Sequence, residues 1–147
     1  VIVPYIKVDN YYEESVEKED LIKEVKIGDT FELSDFEITV NSIKKGKDYE
    51  GNDAIIINYN WTNNSEETTN WMFSITTQVF QNGEELDSAI ISGSDNKGMK
   101  DIRPGTTLEG IEDAFKVNDE SEIELEITEA FSFNNDKVLI ILDFPTE

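Results

Sequence analysis

The most constraining feature of this sequence is the alternation of apolar and polar residues along two short segments. In residues 123–127 three aliphatic side chains alternate with glutamates, and in residues 55–61 four apolar side chains share one parity: Ile55, Ile57, Tyr59 and Trp61. Because successive side chains of a strand point to opposite faces, this period places one face in a core and the other toward solvent. Ile56 adds apolar surface to the second face, as the interior of a sandwich requires.

Turn signals separate seven to nine segments of this kind. Asn82-Gly83 lies between apolar runs and predicts a hairpin with a type I′ turn. Ile43 breaks the alternation of residues 36–40, which predicts a β-bulge. Many short strands separated by turns are typical of a sandwich. We therefore predict an antiparallel all-β sandwich in residues 25–147. An acidic, irregular or partly helical segment, residues 1–24, precedes it as a leader or linker, with room for an added edge strand.

The charge balance limits the partners that this chain can have. Its 147 residues include 33 acidic and 12 basic ones, for a net charge of −21. A surface of this sign repels nucleic acids and anionic lipids, so nucleic-acid binding is excluded. Cationic partners, divalent metals and basic peptides remain compatible with it. Acidity alone often serves only solubility.

The absence of histidine and cysteine limits the chemistry. A Ser-His-Asp triad needs histidine, and zinc, copper and haem sites use histidine or cysteine. No stretch approaches the roughly 20 apolar residues that span a membrane. Because the chain starts at Val1, we expect that a leader, such as a signal peptide, has been removed.

Several segments resemble a known family in their order. They are KIGDT at residues 26–30, FEITV at 36–40, INYNWTNNS at 57–65, VFQNGEEL at 79–86 and IRPG at 102–105, followed by Ala114-Phe115. In this order they resemble the immunoglobulin-like domains of secreted lipoproteins of Gram-positive bacteria, a family of unknown function. The resemblance covers about residues 25–144. It implies an extracytoplasmic immunoglobulin-like sandwich whose lipid anchor would lie on a leader outside this chain, and it supplies no catalytic residues.

One loop is a candidate calcium site. Asp48, Glu50, Asn52 and Asp53 place four oxygen ligands close together in the sequence. Calcium takes six to eight such oxygens, but the spacing of an EF-hand loop is absent. Asn and Asp also favour turns for backbone reasons alone. No other cofactor is expected.

Hydrolase chemistry is a weaker alternative. Ser42 and Lys45 match the S-x-x-K motif of penicillin-binding enzymes, and residues 94–96 match the Ser-Asp-Asn motif. That mechanism needs the serine at the start of a helix, whereas Ser42 lies in β-patterned sequence without a K-T-G motif. Adjacent carboxylates at residues 66–67 and 84–85 suit a glycosidase only if buried across a cleft. We predict that they are solvated.

These observations favour a protein that is not an enzyme. We predict a cell-envelope binding or adhesion module for a protein or another surface component, because loops on a rigid scaffold carry recognition. The expected contact loops are residues 44–52, 63–70 and 92–100. Trp61 and Trp71 could form a sugar platform, but their alternation favours the core. A calcium-dependent adhesion module and a small hydrolase using Ser42 or a carboxylate pair remain the alternatives.

Overall fold

The segments in which apolar and polar residues alternate form two stacked sheets. The structure is a computed structural model, which describes residues 22–132 and 136–147. Within these residues there are nine strands: β1 Ile22–Val25, β2 Thr30–Leu33, β3 Phe36–Lys47, β4 Asp53–Asn63, β5 Ile75–Gln81, β6 Glu84–Glu85, β7 Thr106–Lys116, β8 Ile123–Glu129 and β9 Lys137–Leu142. A single-turn helix, α1, spans Trp71–Ser74, and a 3₁₀ helix spans Lys97–Met99.

The two sheets form the predicted β-sandwich. One has the strand order β1-β9-β8-β5-β6, and the other has the order β2-β3-β4-β7. All strand pairs are antiparallel except β1 and β9, which run parallel. Strand β1 crosses the boundary that we predicted between residues 24 and 25, and it lies at the edge of its sheet. Residues 1–21, most of the predicted leader, are outside the described residues.

The core lies between the two predicted inward faces. Ile55, Ile57, Tyr59 and Trp61 of β4 are fully buried, and so are Ile123, Leu125 and Ile127 of β8. Trp71 is buried too, and its ring meets Tyr59 with centroids 4.7 Å apart and Trp61 at 6.0 Å. Both tryptophans therefore belong to the core, and the alternative of a sugar platform is wrong.

Two local predictions of backbone geometry are confirmed. Asn82 and Gly83 have φ angles of 53° and 83°, as a type I′ turn between β5 and β6 requires. The register of β3 against β4 shifts between Val40 and Ser42, just before Ile43, which is the predicted bulge.

Two segments differ from their prediction. Residues 44–47, expected in a polar loop, continue β3 because they pair with residues 53–56 of β4. Trp71, Phe73 and Ile75 alternate with other residues in the sequence, which predicts the start of a strand with these three side chains in the core, but residues 71–74 form α1. The Asn70 side chain accepts a hydrogen bond from the Phe73 N–H at 2.8 Å and so caps this helix. The helical turn moves Phe73 from the expected core face to the surface, where 64% of it is exposed.

Candidate functional site

Three large apolar side chains are exposed at one end of the sandwich. Met72 and Phe73 of α1 are 63% and 64% exposed, and Phe131, which follows β8, is 82% exposed. The rings of Phe73 and Phe131 lie 5.4 Å apart between centroids. Clustered exposure of this kind is uncommon on a monomer and marks interaction sites. We call these three residues and the groove beside them the end surface.

Hydrogen bonds hold the end surface in place. Asn70 caps α1 and also donates from its amide to the Asp101 carboxylate at 2.9 Å. The Ala130 N–H donates to the Ser74 carbonyl at 2.8 Å, which joins the end of β8 to the end of α1. Because Phe73 and Phe131 are neighbours of these bonded residues, the backbone that carries their rings is held in place.

Phe131 has an unusual backbone conformation. Its φ angle is 59°, in the left-handed region that bulky side chains rarely adopt. Such a conformation costs on the order of 1 kcal/mol or more, and it persists only where surrounding structure imposes it. Here it directs an aromatic ring into solvent instead of into the core.

A groove of about 500 Å³ runs beside the aromatic pair. Phe36, Phe73 and Phe131 supply its apolar walls, and its carboxylates are those of Asp35, Glu66, Glu67 and Glu129. Among the residues that the structure describes, no lysine or arginine lines it. The end surface therefore combines exposed aromatic side chains with a rim of negatively charged side chains.

Asn63 organises the loop that carries Glu66 and Glu67. It is fully buried, and its amide donates to the carbonyls of Glu67 at 2.9 Å and Ile102 at 3.1 Å. Its side-chain oxygen accepts from the Ser65 N–H at 3.0 Å and from the Ser65 hydroxyl at 2.6 Å. This loop, residues 63–70, is the one predicted contact loop that contributes to the end surface.

The candidate calcium ligands are engaged elsewhere. Asp48 is buried and accepts hydrogen bonds from the Glu50 N–H and from the N–H and amide of Asn52. Burial opposes its ionised form, but these bonds outweigh burial and lower the pKa of Asp48. Lys47 pairs with Asp53 and lowers the pKa of that carboxyl. Glu50 is exposed.

The turn at residues 118–120 lies at the same end of the sandwich as Asp53. Asp53, Asp119 and Glu120 line one small cavity of about 120 Å³. Hydrogen bonds from the Ser121 hydroxyl and from the Ser121 N–H lower the pKa of Asp119, and Glu120 lies 3.8 Å from the Lys45 ammonium. Within residues 22–132 and 136–147, no group of three acidic, histidine or cysteine residues is arranged to hold a metal. Another Asn- and Asp-rich segment of the sequence, residues 134–136, lies mostly outside the described residues.

The hydrolase residues are not assembled. Ser42 and Lys45 lie three positions apart on β3, with regular pairing to β4 between them, so their side chains point to opposite faces. The glutamates at 66–67 and 84–85 are all exposed. No pair thus has the desolvated carboxyl that glycoside hydrolysis needs.

Met72, Phe73 and Phe131 were missed by the sequence analysis. Asn70 was the available signal for the first two, because asparagine is a preferred helix cap. For Phe131 the sequence offers no comparable signal. No helix in the described residues is long and apolar enough to cross a membrane.

Solved structures show the same fold. An uncharacterised β-sandwich protein from Clostridium difficile 630 matches with a TM-score of 0.63 and 21% identity, covering 87% of this chain and 99% of that one. A candidate lipoprotein from Bacillus subtilis matches with a TM-score of 0.62 and 12% identity, covering 78% of this chain. This chain spans only 38% of the Bacillus subtilis protein. A candidate lipoprotein from Staphylococcus aureus matches at 0.57 and 12% identity, covering 79% and 92% of the two chains.

A family assignment follows from the sequence. No curated protein matches this chain. Residues 12–129, most of the chain, match the family described as "Domain of unknown function (DUF5067)". The chain therefore belongs to the DUF5067 family.

Proposed function

We propose that this chain is a non-catalytic, extracytoplasmic binding module that recognises a protein through the end surface. The similarity of its fold to candidate lipoproteins supports a place in the cell envelope, with anchoring by a lipid on a leader outside this chain. The predicted immunoglobulin-like character fits this role, because such sandwiches present loops and ends for recognition.

One observation carries the proposal: the exposed pair Phe73–Phe131 on a fixed backbone. Aromatic side chains dominate the energetics of protein interfaces, since they bury a large area with few rotatable bonds. A backbone held in advance also loses little conformational entropy on binding. The left-handed conformation of Phe131 has no benefit for the core, because its ring makes no part of it.

The rim defines the chemistry of the partner. Asp35, Glu66, Glu67 and Glu129 surround the apolar groove, and the whole chain carries a charge of −21. Complementary charge favours a partner that presents an apolar side chain flanked by lysine or arginine. Encounter with such a partner should be fast and should weaken as salt rises.

The test compares protein capture by the wild-type domain and by the double variant Phe73→Ser/Phe131→Asn. Asparagine tolerates a left-handed φ, so this change removes the ring without adding strain. Tyr49→Ser is the matched control, because Tyr49 is 61% exposed and does not line the groove. The immobilised variants are incubated with solubilised cell-envelope proteins at low and high salt, with calcium or with chelator.

We expect one or more basic proteins that wild type and Tyr49→Ser retain at low salt and that the double variant loses. Equal retention by all three variants would contradict recognition by the end surface. Retention that requires calcium would replace the proposal with the calcium-dependent adhesion module. Unfolding curves of each variant establish that the domain remains folded.

A further inference from the structure

Strand β7 is the edge strand of its sheet. The segment of residues 87–97 runs along this edge and leaves a gap beside it. At one end the Ala89 N–H donates to the Ala114 carbonyl at 2.9 Å, and the Lys116 N–H donates to the Asp87 carbonyl at 2.8 Å. Further along, the Lys97 ammonium reaches the Glu109 carbonyl at 2.8 Å. Between these points lies a cavity of about 420 Å³, lined by residues 112–115, by Thr77 and by parts of segment 88–96. We call it the edge cavity.

The backbone of Glu112 faces the edge cavity. In an antiparallel pair, alternate residues bond to the neighbouring strand and the others face away. The Lys116 N–H bonds outward to Asp87, so residues of the same parity on β7, including Glu112, face away from β4. The edge cavity therefore receives a carbonyl acceptor as well as carboxyl groups.

Asp113 is a carboxyl that faces the interior of the sandwich. It pairs with Ile57 of β4, whose side chain is fully buried. Burial raises the pKa of the Asp113 carboxyl. The Thr77 hydroxyl donates to it at 3.2 Å, and the Trp71 indole and the Tyr59 hydroxyl also favour its ionised form. Among the residues that the structure describes, no lysine or arginine lines the edge cavity.

The hydroxyl of Tyr59 lies beside the Asp113 carboxyl. Tyr59 is fully buried, and burial, followed by the Asp113 carboxyl beside its hydroxyl, raises the pKa of Tyr59. Withdrawing a carboxylate from water costs free energy, which a bound cation can offset. Of these two groups, Asp113 is the one that lines the edge cavity, where a cationic ligand could reach it.

We propose that the edge cavity binds a primary ammonium group, held by the Asp113 carboxylate. The ionisable groups that line the cavity, Glu112 and Asp113, are both acidic, and the Glu112 carbonyl is a further acceptor. Ile90 and Phe115 supply apolar wall for an alkyl chain. The volume lies within the usual range for small-molecule sites and holds a chain of several carbons. This site is separate from the end surface.

The ammonium could belong to a free diamine or to a lysine side chain of a partner, so the test uses one probe for each. Cadaverine represents the diamine, and Nα-acetyl-lysine methylamide represents the peptide side chain. The uncharged 1,5-pentanediol has the same carbon chain as cadaverine. Binding to the full chain is measured by calorimetry and by backbone amide shifts in NMR at moderate salt.

Asp113→Asn is the decisive variant, and Glu122→Gln is its control, because Glu122 is exposed and its change removes the same charge. We expect at least one ammonium probe to bind wild type and Glu122→Gln alike and to bind Asp113→Asn at least about tenfold more weakly. The shifted amides should include those of residues 112–115. Which probe binds more tightly identifies the source of the ammonium group.

Three results would overturn the proposal. They are equal affinity of the diol and the diamine, equal affinity of Asp113→Asn and wild type, and absence of binding by both ammonium probes. Because Asp113→Asn removes a partly buried charge, we expect it to fold, and its unfolding curve checks this. The Phe73→Ser/Phe131→Asn variant should bind the probes like wild type, so failure here and failure of the end surface are separate outcomes.

Discussion

Replacement of Asn63 by alanine should destabilise the domain without touching its apolar core. The Asn63 side chain is fully buried and makes four hydrogen bonds to Ser65, Glu67 and Ile102. It fixes the loop that carries Glu66 and Glu67. The Asn63→Ala variant therefore links the stability of the sandwich to the shape of the end surface.

The magnitude follows from the individual bonds. A net contribution of roughly 0.5–1.5 kcal/mol per hydrogen bond gives about 2–6 kcal/mol for four. The lower half of this range applies, because two of the groups that lose Asn63 keep another hydrogen bond. The Ile102 carbonyl still accepts from the Thr69 N–H, and the Glu67 carbonyl still accepts from the Ser65 hydroxyl. We expect a loss of about 3 kcal/mol in the free energy of unfolding.

Urea unfolding followed by tryptophan fluorescence measures this loss. The midpoint should fall with an unchanged m-value, since the exposed area on unfolding is the same. Asn64→Ala is the control: Asn64 is exposed and its amide bonds only to the Glu37 carboxylate, so it should lose less than about 0.5 kcal/mol. A loss below about 1 kcal/mol for Asn63→Ala would refute the reasoning that buried amide bonds hold this end together.

Four further predictions test other elements. Leu125→Ala removes a fully buried side chain between the sheets and should cost about 2–5 kcal/mol in urea unfolding. Gly83→Ala should cost roughly 1 kcal/mol, because φ at Gly83 is 83° and the added methyl meets only open space. The lowered pKa of Asp48 means that its contribution is present above pH 3.8 and is lost as pH falls through the folded pKa, so Asp48→Asn should flatten acid unfolding. The raised pKa of Asp113 has the opposite effect, because stability is lost as pH rises from 3.8 through the folded pKa. Asp113→Asn should therefore have a higher melting temperature than wild type at pH 7 and the same melting temperature at low pH.

The architecture was predictable because burial imposes a two-residue period on each strand. Residues 55–61 and 123–127 carried this period without interruption, and both became central strands. Residues 44–47 misled the prediction, since lysine and glycine resemble a loop. They remain in β3 because pairing with β4 supplies backbone hydrogen bonds that composition does not reveal.

The candidate sites were less predictable for two physical reasons. The end surface combines α1, the end of β8 and residues 63–67, and proximity between such distant segments comes only from the assembled sheets. Asp113 is different, because it shares the parity of Ile111 and Phe115, which are both buried. That parity alone indicated an inward carboxyl, and the acidity of the whole chain obscured it.

The parallel pairing of β1 with β9 gives the domain a mechanical property. Parallel strands start at the same end of their sheet, so Ile22 lies beside Lys137 and Val25 beside Ile140. Tension applied between residue 22 and residue 142 pulls the two strands in opposite directions along their length. The bonds between them then bear the load together in shear, whereas a hairpin such as β5–β6 pulled at its open end separates one bond at a time. A force applied along the chain is therefore borne first by the hydrogen bonds between β1 and β9, and the core is loaded only after they break.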